Sequence, residues 1–282
     1  RDPRLRKQDR QVMSIRYGAR TRPGTMVSTW LNSLVSGVVY FEAAYFAGGS
    51  GPVATVDKFA FSDDSRTTLA VGLSGAVYYL AGAANSGSFA YFAGGYAGPV
   101  DTVNKLTFSD DSMAALGTGL SATNSYLGGA ANSGTAAYFA GGYTGAAVVA
   151  TVDKFAFSDD GRTTLGTGLS SARGHVAGAA NSGTAAYFAG GYAGGPVTTV
   201  DKFAFSDDSR TTLGTGLSEG NAYQGGAAQS GTAAYFAGGY AASGIVATVD
   251  KFAFSDDGRT TLGTGLSSAR YGLAGAANSG TL

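Results

Sequence analysis

Along most of the chain, apolar and polar positions alternate in short runs broken by glycine. No stretch holds the 3.6-residue period of an amphipathic helix over a useful length. In TVDKFAF, residues 151–157, Phe155 and Phe157 fall on one face and Lys154 and Ala156 on the other, the period of two of a strand. Three further runs read the same way: HVAGAA (175–180), which turns at Asn181-Ser182-Gly183, AAYFAGG (136–142), and TTLGTGL (163–169) after the SDDG turn at 158–161. Small residues opposite Phe and Tyr let neighbouring sheets approach and interdigitate face to face.

These runs recur. AYFAGG carries its tyrosine at 45, 91, 138, 187 and 235, and Lys58, Lys105, Lys154, Lys202 and Lys251 follow in register, before LGTGLS and AGAANSG or near variants. Five units of about 48 residues, each with four strand-like runs, predict an all-β, five-bladed β-propeller of four-stranded antiparallel blades. The chain runs one inner-strand segment past the fifth outer strand (269–282), whereas the first AAYFAGGS (43–50) has no good copy of that segment before it. The C-terminal strand is therefore expected to complete the first blade and close the ring. The competing reading gives that place to LVSGVVYF, residues 34–41.

Composition sharpens the picture. The 46 glycines alone would suggest low complexity, but 16 Tyr and 16 Phe at recurring positions mark a folded, turn-rich chain. With no cysteine, disulfides and thiolate metal sites are excluded. A net charge of zero conceals an asymmetry: residues 1–24 hold eight Lys/Arg and two Asp (+6), and the remainder 11 bases and 17 acids (−6). Residues 1–33 thus read as a basic arm, with Arg4, Arg6, Lys7 and Arg10 as candidate anchors to other subunits of an assembly, preceding the propeller at 34–282. The apolar run at 26–41 is interrupted and too short to span a bilayer, so no membrane span is expected. Nucleic-acid binding is disfavoured, because no aromatic stacking residue interleaves the arm's bases before Tyr17.

The double glycine closing YFAGG and the SAR before the next strand, at Arg173 and Arg270, resemble kelch-type propellers over residues 43–282. Kelch repeats usually carry an outer-strand Trp, whereas Trp30 here lies outside the repeats and Leu165 and its equivalents take that place. Tandem units of this wording resemble kelch-like proteins of phage virions and bacterial surfaces. The resemblance implies a virion or cell-surface location and a structural or adhesive role.

Differences among the five copies point to a site. The stretch between the double glycine and the next Lys varies in length, and the stretch after GLS varies in chemistry at constant length. Strand direction alternates within a blade, so both variable loops emerge at one end of the disc. That end carries Tyr79, Tyr126, His175 and Tyr223 at one shared position, Asn124, Arg173, Asn221 and Arg270 two residues earlier, and Tyr96, Tyr143, Tyr192 and Tyr240 after the double glycines. Amphipathic rings with amide and guanidinium donors suit protein surfaces or glycans. The constant end carries paired aspartates such as Asp159 and Asp160. These are expected to cap their own turns, with Arg66, Arg162, Arg210 and Arg259 two residues on as charge partners, rather than to bind metal. With a single His and no phosphate loop, the chain reads as a non-enzyme without cofactor or metal. A secreted multivalent lectin, with similar sugar sites between blades, is the alternative reading.

Overall fold

The structure, a computed structural model, describes residues 43–275, which belong to one compact unit. The anchors Arg4, Arg6, Lys7 and Arg10, the run at 34–41 and the last residues, 276–282, lie outside the described residues. The described chain is all-β and forms a β-propeller-like series of antiparallel sheets. Four of these sheets have four strands each, ordered from inner to outer along the chain. The second comprises Ala81–Asn85, Phe89–Ala93, Val103–Thr107 and Ser112–Ala115, and the third Gly128–Asn132, Ala136–Ala140, Val152–Ala156 and Arg162–Thr164. The fourth comprises Ala177–Asn181, Ala185–Ala189, Val200–Ala204 and Arg210–Thr212, and the fifth Gly225–Gln229, Ala233–Ala237, Val249–Ala253 and Arg259–Thr261. The first sheet has three strands, Ala43–Ala47, Val56–Ala60 and Arg66–Thr68. Each inner strand follows the outer strand of the preceding sheet, and the first sheet has no such predecessor among the described residues.

The core lies between sheets rather than inside one. Tyr91 of the second sheet packs with Phe139, Phe155 and Phe157 of the third, and Tyr138 packs with Phe188 and Phe203 of the fourth. Tyr187 packs in the same way with Phe236 and Phe252 of the fifth. The period-two reading of TVDKFAF holds: Phe155 faces the preceding sheet and Lys154 the following one. Within each Phe face the rings meet edge to face, as in Phe139–Phe155 and Phe188–Phe203, both with centroids 5.9 Å apart.

Inner strands meet more closely still. A Cβ on Gly129 would fall on the carbonyl of Gly82, one on Gly178 on that of Gly129, and one on Gly226 on that of Gly178. Gly275 stands in the same relation to Gly226, so the chain near Gly275 lies against the inner strand of the fifth sheet.

Polar latches join the outer parts of the sheets. Lys105 Nζ and the Tyr91 hydroxyl both donate to Asp160 of the next sheet. Lys58 with Tyr45 does the same to Asp111, Lys154 with Tyr138 to Asp208, and Lys202 with Tyr187 to Asp257. Burial first, then the aspartate's hydrogen bond and charge, hold these phenols well above their ordinary range. The aspartate pairs thus divide their work, which corrects the expectation about the neighbouring arginines. The first Asp caps its turn, as Asp159 does by accepting from the Gly161 N–H at 2.9 Å. The second has φ of 54–58° in every copy, and as Asp111, Asp160, Asp208 and Asp257 it reaches the preceding sheet. Arg162 and Arg210 donate instead to the carbonyls of Gly119 and Gly168.

The expected closed ring is not formed by the described residues. Phe46 of the first sheet is 55% exposed and Phe61 61%, whereas Phe139, in the place of Phe46, is 2% exposed. The residues that would complete the closing strand, 276–282, lie outside the description.

If the glycine approach sets the spacing of the sheets, Gly178→Ala forces two inner strands apart and costs about 1–3 kcal/mol, as overpacking does. Gly166→Ala, where an added Cβ meets nothing, leaves stability nearly unchanged. Urea unfolding of the two variants beside the parent chain measures the difference.

Candidate functional site

The two variable loops do meet at one end of the sheets. Tyr78 bridges Tyr96, Ser125 bridges Tyr143, Gly174 bridges Tyr192, and Asn221–Ala222 pairs with Tyr240–Ala241, so each loop is stitched to its neighbour by backbone hydrogen bonds.

The shared position forms an arc on the inner rim, just before each inner strand. Tyr79, Tyr126, His175 and Tyr223 all take the left-handed conformation, φ 57–59°, which is uncommon for residues other than glycine. Gly272 takes it in the last copy. This conformation lets each residue donate its N–H to the preceding copy's carbonyl: Tyr126 to Tyr79 at 3.0 Å, His175 to Tyr126 at 2.7 Å, Tyr223 to His175 at 3.3 Å and Gly272 to Tyr223 at 2.8 Å. The rings overlie one another accordingly. Centroids lie 4.3 Å apart for Tyr79–Tyr126, 4.0 Å for Tyr126–His175 and 3.6 Å for His175–Tyr223. Tyr78, Tyr96 and Tyr271 extend the cluster.

Among the rings after the double glycines, Tyr96 and Tyr143 are half-buried, while Tyr192 and Tyr240 are exposed. The Tyr143 hydroxyl is taken up locally by the Gly145 carbonyl at 2.7 Å. Tyr78 and Tyr271 had escaped the sequence reading. Each stands immediately before the shared position, so its register was the available signal.

The position two residues earlier turns inward. Asn124 Nδ2 donates to the Gly141 carbonyl at 2.7 Å, Asn221 Nδ2 to that of Gly238 at 2.6 Å, and Arg173 Nε to that of Gly190 at 2.8 Å. Arg173 is fully buried and pairs with Asp201 at 2.9 Å. The expectation that it presents a guanidinium to a ligand is therefore corrected: its reach carries it past the rim to a carboxylate of the next sheet. Arg270, its counterpart, is exposed. Burial pushes the Asp201 carboxyl up, but hydrogen bonds from Thr212 and the Ser170 N–H, with the Arg173 charge, bring it below its ordinary value. Burial pulls Arg173 down against the raising effect of Asp201.

Within the arc, His175, Tyr126 and Tyr223 stay neutral near pH 7. Burial pushes the His175 imidazole down to about 4. Burial, followed by neighbouring phenols, pushes Tyr126 up to about 12 and raises Tyr223. Among the described residues no group of three or more His, Asp or Glu converges as a metal site would require. What the arc offers is therefore surface: ring edges, phenolic hydroxyls and the loops around them.

No family model matches the sequence, and no curated protein matches it. Among solved structures the chain is similar to YjhT, with a TM-score of 0.69 at 16% identity over 85% of this chain and 86% of that one. That likeness shows the β-propeller-type fold. No helix among the described residues is long and apolar enough to cross a membrane.

Replacing Arg173 with Ala removes a charged hydrogen-bond partner of the buried Asp201, which keeps the donors of Ser170 and Thr212, and costs about 1.5–3 kcal/mol in chemical unfolding. A second expectation concerns pH. His175, the only histidine, has a folded value below its unfolded value near 6.5, so its contribution to stability is complete above that pH. It is lost as pH falls from about 6.5 to about 4, because the unfolded chain takes up the proton first. His175→Phe removes that part of the slope in unfolding curves recorded between pH 7 and pH 4.

Proposed function

We propose that the protein is a non-catalytic, kelch-like propeller that binds its partner, a protein surface or a glycan chain, across the variable-loop end. The observation that carries this reading is the continuous arc from Tyr79 to Tyr223, which runs from sheet to sheet instead of forming a separate pocket in each. Tilted by 30–50° to one another at these separations, the rings cover part of one another's faces and leave edges and hydroxyls for contact. Such a strip suits an extended partner that spans several sheets. A lectin with one sugar pocket per blade needs free ring faces, and those are best offered at the two ends, where Tyr79 is 45% and Tyr271 57% exposed.

A structural or adhesive role fits the chemistry in hand. The strongly shifted phenols of the constant end are engaged in latches between sheets, and the buried Arg173 serves as a structural partner. Attachment to a virion or cell surface through the basic arm is the reading of Arg4, Arg6, Lys7 and Arg10, supported by their charge and by the kelch-like resemblance.

Replacing Tyr79, Tyr126 and Tyr223 together with Phe keeps the rings and removes the hydroxyls. Glycan-array and pull-down signals are expected to fall at least tenfold, about 1.4 kcal/mol or more, with the unfolding midpoint little changed. Undiminished binding with the arc so altered would remove it as the contact surface.

A further inference from the structure

At three junctions between sheets, the residue that turns inward before the rim fills one place with its own nitrogen. Asn124, Arg173 and Asn221 donate to the carbonyl of the first glycine of the next sheet's pair, Gly141, Gly190 and Gly238. Arg173 spreads its other N–H groups over the Ser171 carbonyl at 3.2 Å and the Asp201 carboxylate at 2.9 Å. The junction of the first and second sheets departs from this at three positions together. Val77 stands in the donor's place, lying against Gly95 as Asn124 lies against Gly142, but it carries no N–H. Asn104 replaces the aspartate. Ala115 faces it in register, where Thr164 and Thr212 donate to Asp153 and Asp201. Here lies a cavity of about 100 Å³, several times the ~30 Å³ share of one water, with Ser74, Gly75, Val77, Gly94, Thr102 and Asn104 in its wall.

The polar groups of this cavity are of both kinds. Among the described residues nothing donates to the Gly94 carbonyl, although its counterparts in the next three sheets are all taken. Asn104 Oδ1 accepts the Ser74 N–H alone, whereas Asp153, Asp201 and Asp250 also take the serine hydroxyl. Two acceptors therefore stand beside two donors, the hydroxyls of Ser74 and Thr102. We propose that the cavity binds a primary carboxamide, the head of an asparagine or glutamine side chain of the partner that lies along the arc. The source of that group rests on the functional reading above, and its chemistry does not. The planar amide nitrogen takes the Gly94 carbonyl, as Asn124 and Asn221 do from within the chain at their own junctions, with Asn104 Oδ1 for its second N–H. The amide oxygen accepts from a hydroxyl. Charge selects an amide over a guanidinium: Arg173 enters its junction beside Asp201, and with Asn104 in that place a guanidinium is desolvated without a counter-charge. Access fits an outside donor, because Ser74 and Gly75 are exposed and Val77 stands two residues before Tyr79 of the arc.

Acetamide, titrated into the full chain at constant ionic strength and followed through the amide resonances of Gly75, Gly94 and Asn104, reads the cavity without any partner. Shifts that saturate are expected, with guanidinium binding at least about tenfold more weakly. Val77→Asn supplies the missing donor from within and is expected to weaken acetamide by about tenfold. Asn104→Asp leaves Val77 in the core, restores the carboxylate of the other copies and is expected to turn the preference toward guanidinium. Shifts that grow only linearly with acetamide, as bulk solvent effects do, would show a cavity for water alone and overturn the inference. Guanidinium binding the parent chain more tightly than acetamide would overturn it as well. A negative result in the tyrosine-to-phenylalanine test of the arc removes the arc-bound partner as the source of the amide and does not alter acetamide binding, so the two readings fail separately.

Discussion

The arrangement rests on one steric constraint: inner strands of successive sheets pack backbone to backbone, with Gly129, Gly178 and Gly226 each set against the carbonyl of the glycine before it. Nothing larger than hydrogen fits there. The approach fixes the distance between sheets near the axis, and the remaining contacts are cut to that distance. Tyr and Lys side chains span to the next sheet's aspartate, phenylalanines fill the wedge farther out, and the rim residues come near enough to pass a backbone hydrogen bond from copy to copy. Widening one such approach loosens an ion pair, an aromatic layer and a rung of the arc together.

Much of this was legible in the sequence because a repeated chain compares itself with itself. The strand periods, the unit length and the grouping of both variable loops at one end all followed from words such as AYFAGG and VDKFAF. The sequence could not show which partner a polar residue takes when the choice lies in another copy. Asp160 and Arg162 are two residues apart and of opposite charge, yet the carboxylate goes to Lys105 and the guanidinium to the Gly119 carbonyl. Arg173 and Arg270 sit in identical SAR words, but one is buried and the other exposed, because among the described residues only the first has a following sheet to enter. The arc was visible as a column of aromatic letters. Its stacking was not, since it depends on a left-handed backbone at Tyr79, Tyr126, His175 and Tyr223 that sequence pattern does not indicate for such residues.

Polar groups buried between sheets set register more than they add stability. Asp153 and Asp250 are buried without an arginine, and each is held by a serine N–H and hydroxyl from the preceding unit and a threonine hydroxyl from its own sheet. In the second sheet Asn104 takes the same place and accepts from the Ser74 N–H at 2.9 Å. The site therefore requires an acceptor at that point and not a charge. A sheet displaced by one residue would bury these acceptors without donors, a cost that apolar layers alone would not impose.

The latches have one more consequence, which concerns how such a gene changes. Each unit carries the donor half of one junction and the acceptor half of another, and the partners lie 53–55 residues apart, close to one unit length. Unequal recombination between two near-identical copies inserts or removes a whole unit with both halves intact, and every surviving donor still meets an aspartate of the right kind. Copy number is thus free to drift without a compensating substitution, while a point change in either half of a latch is felt by two sheets at once.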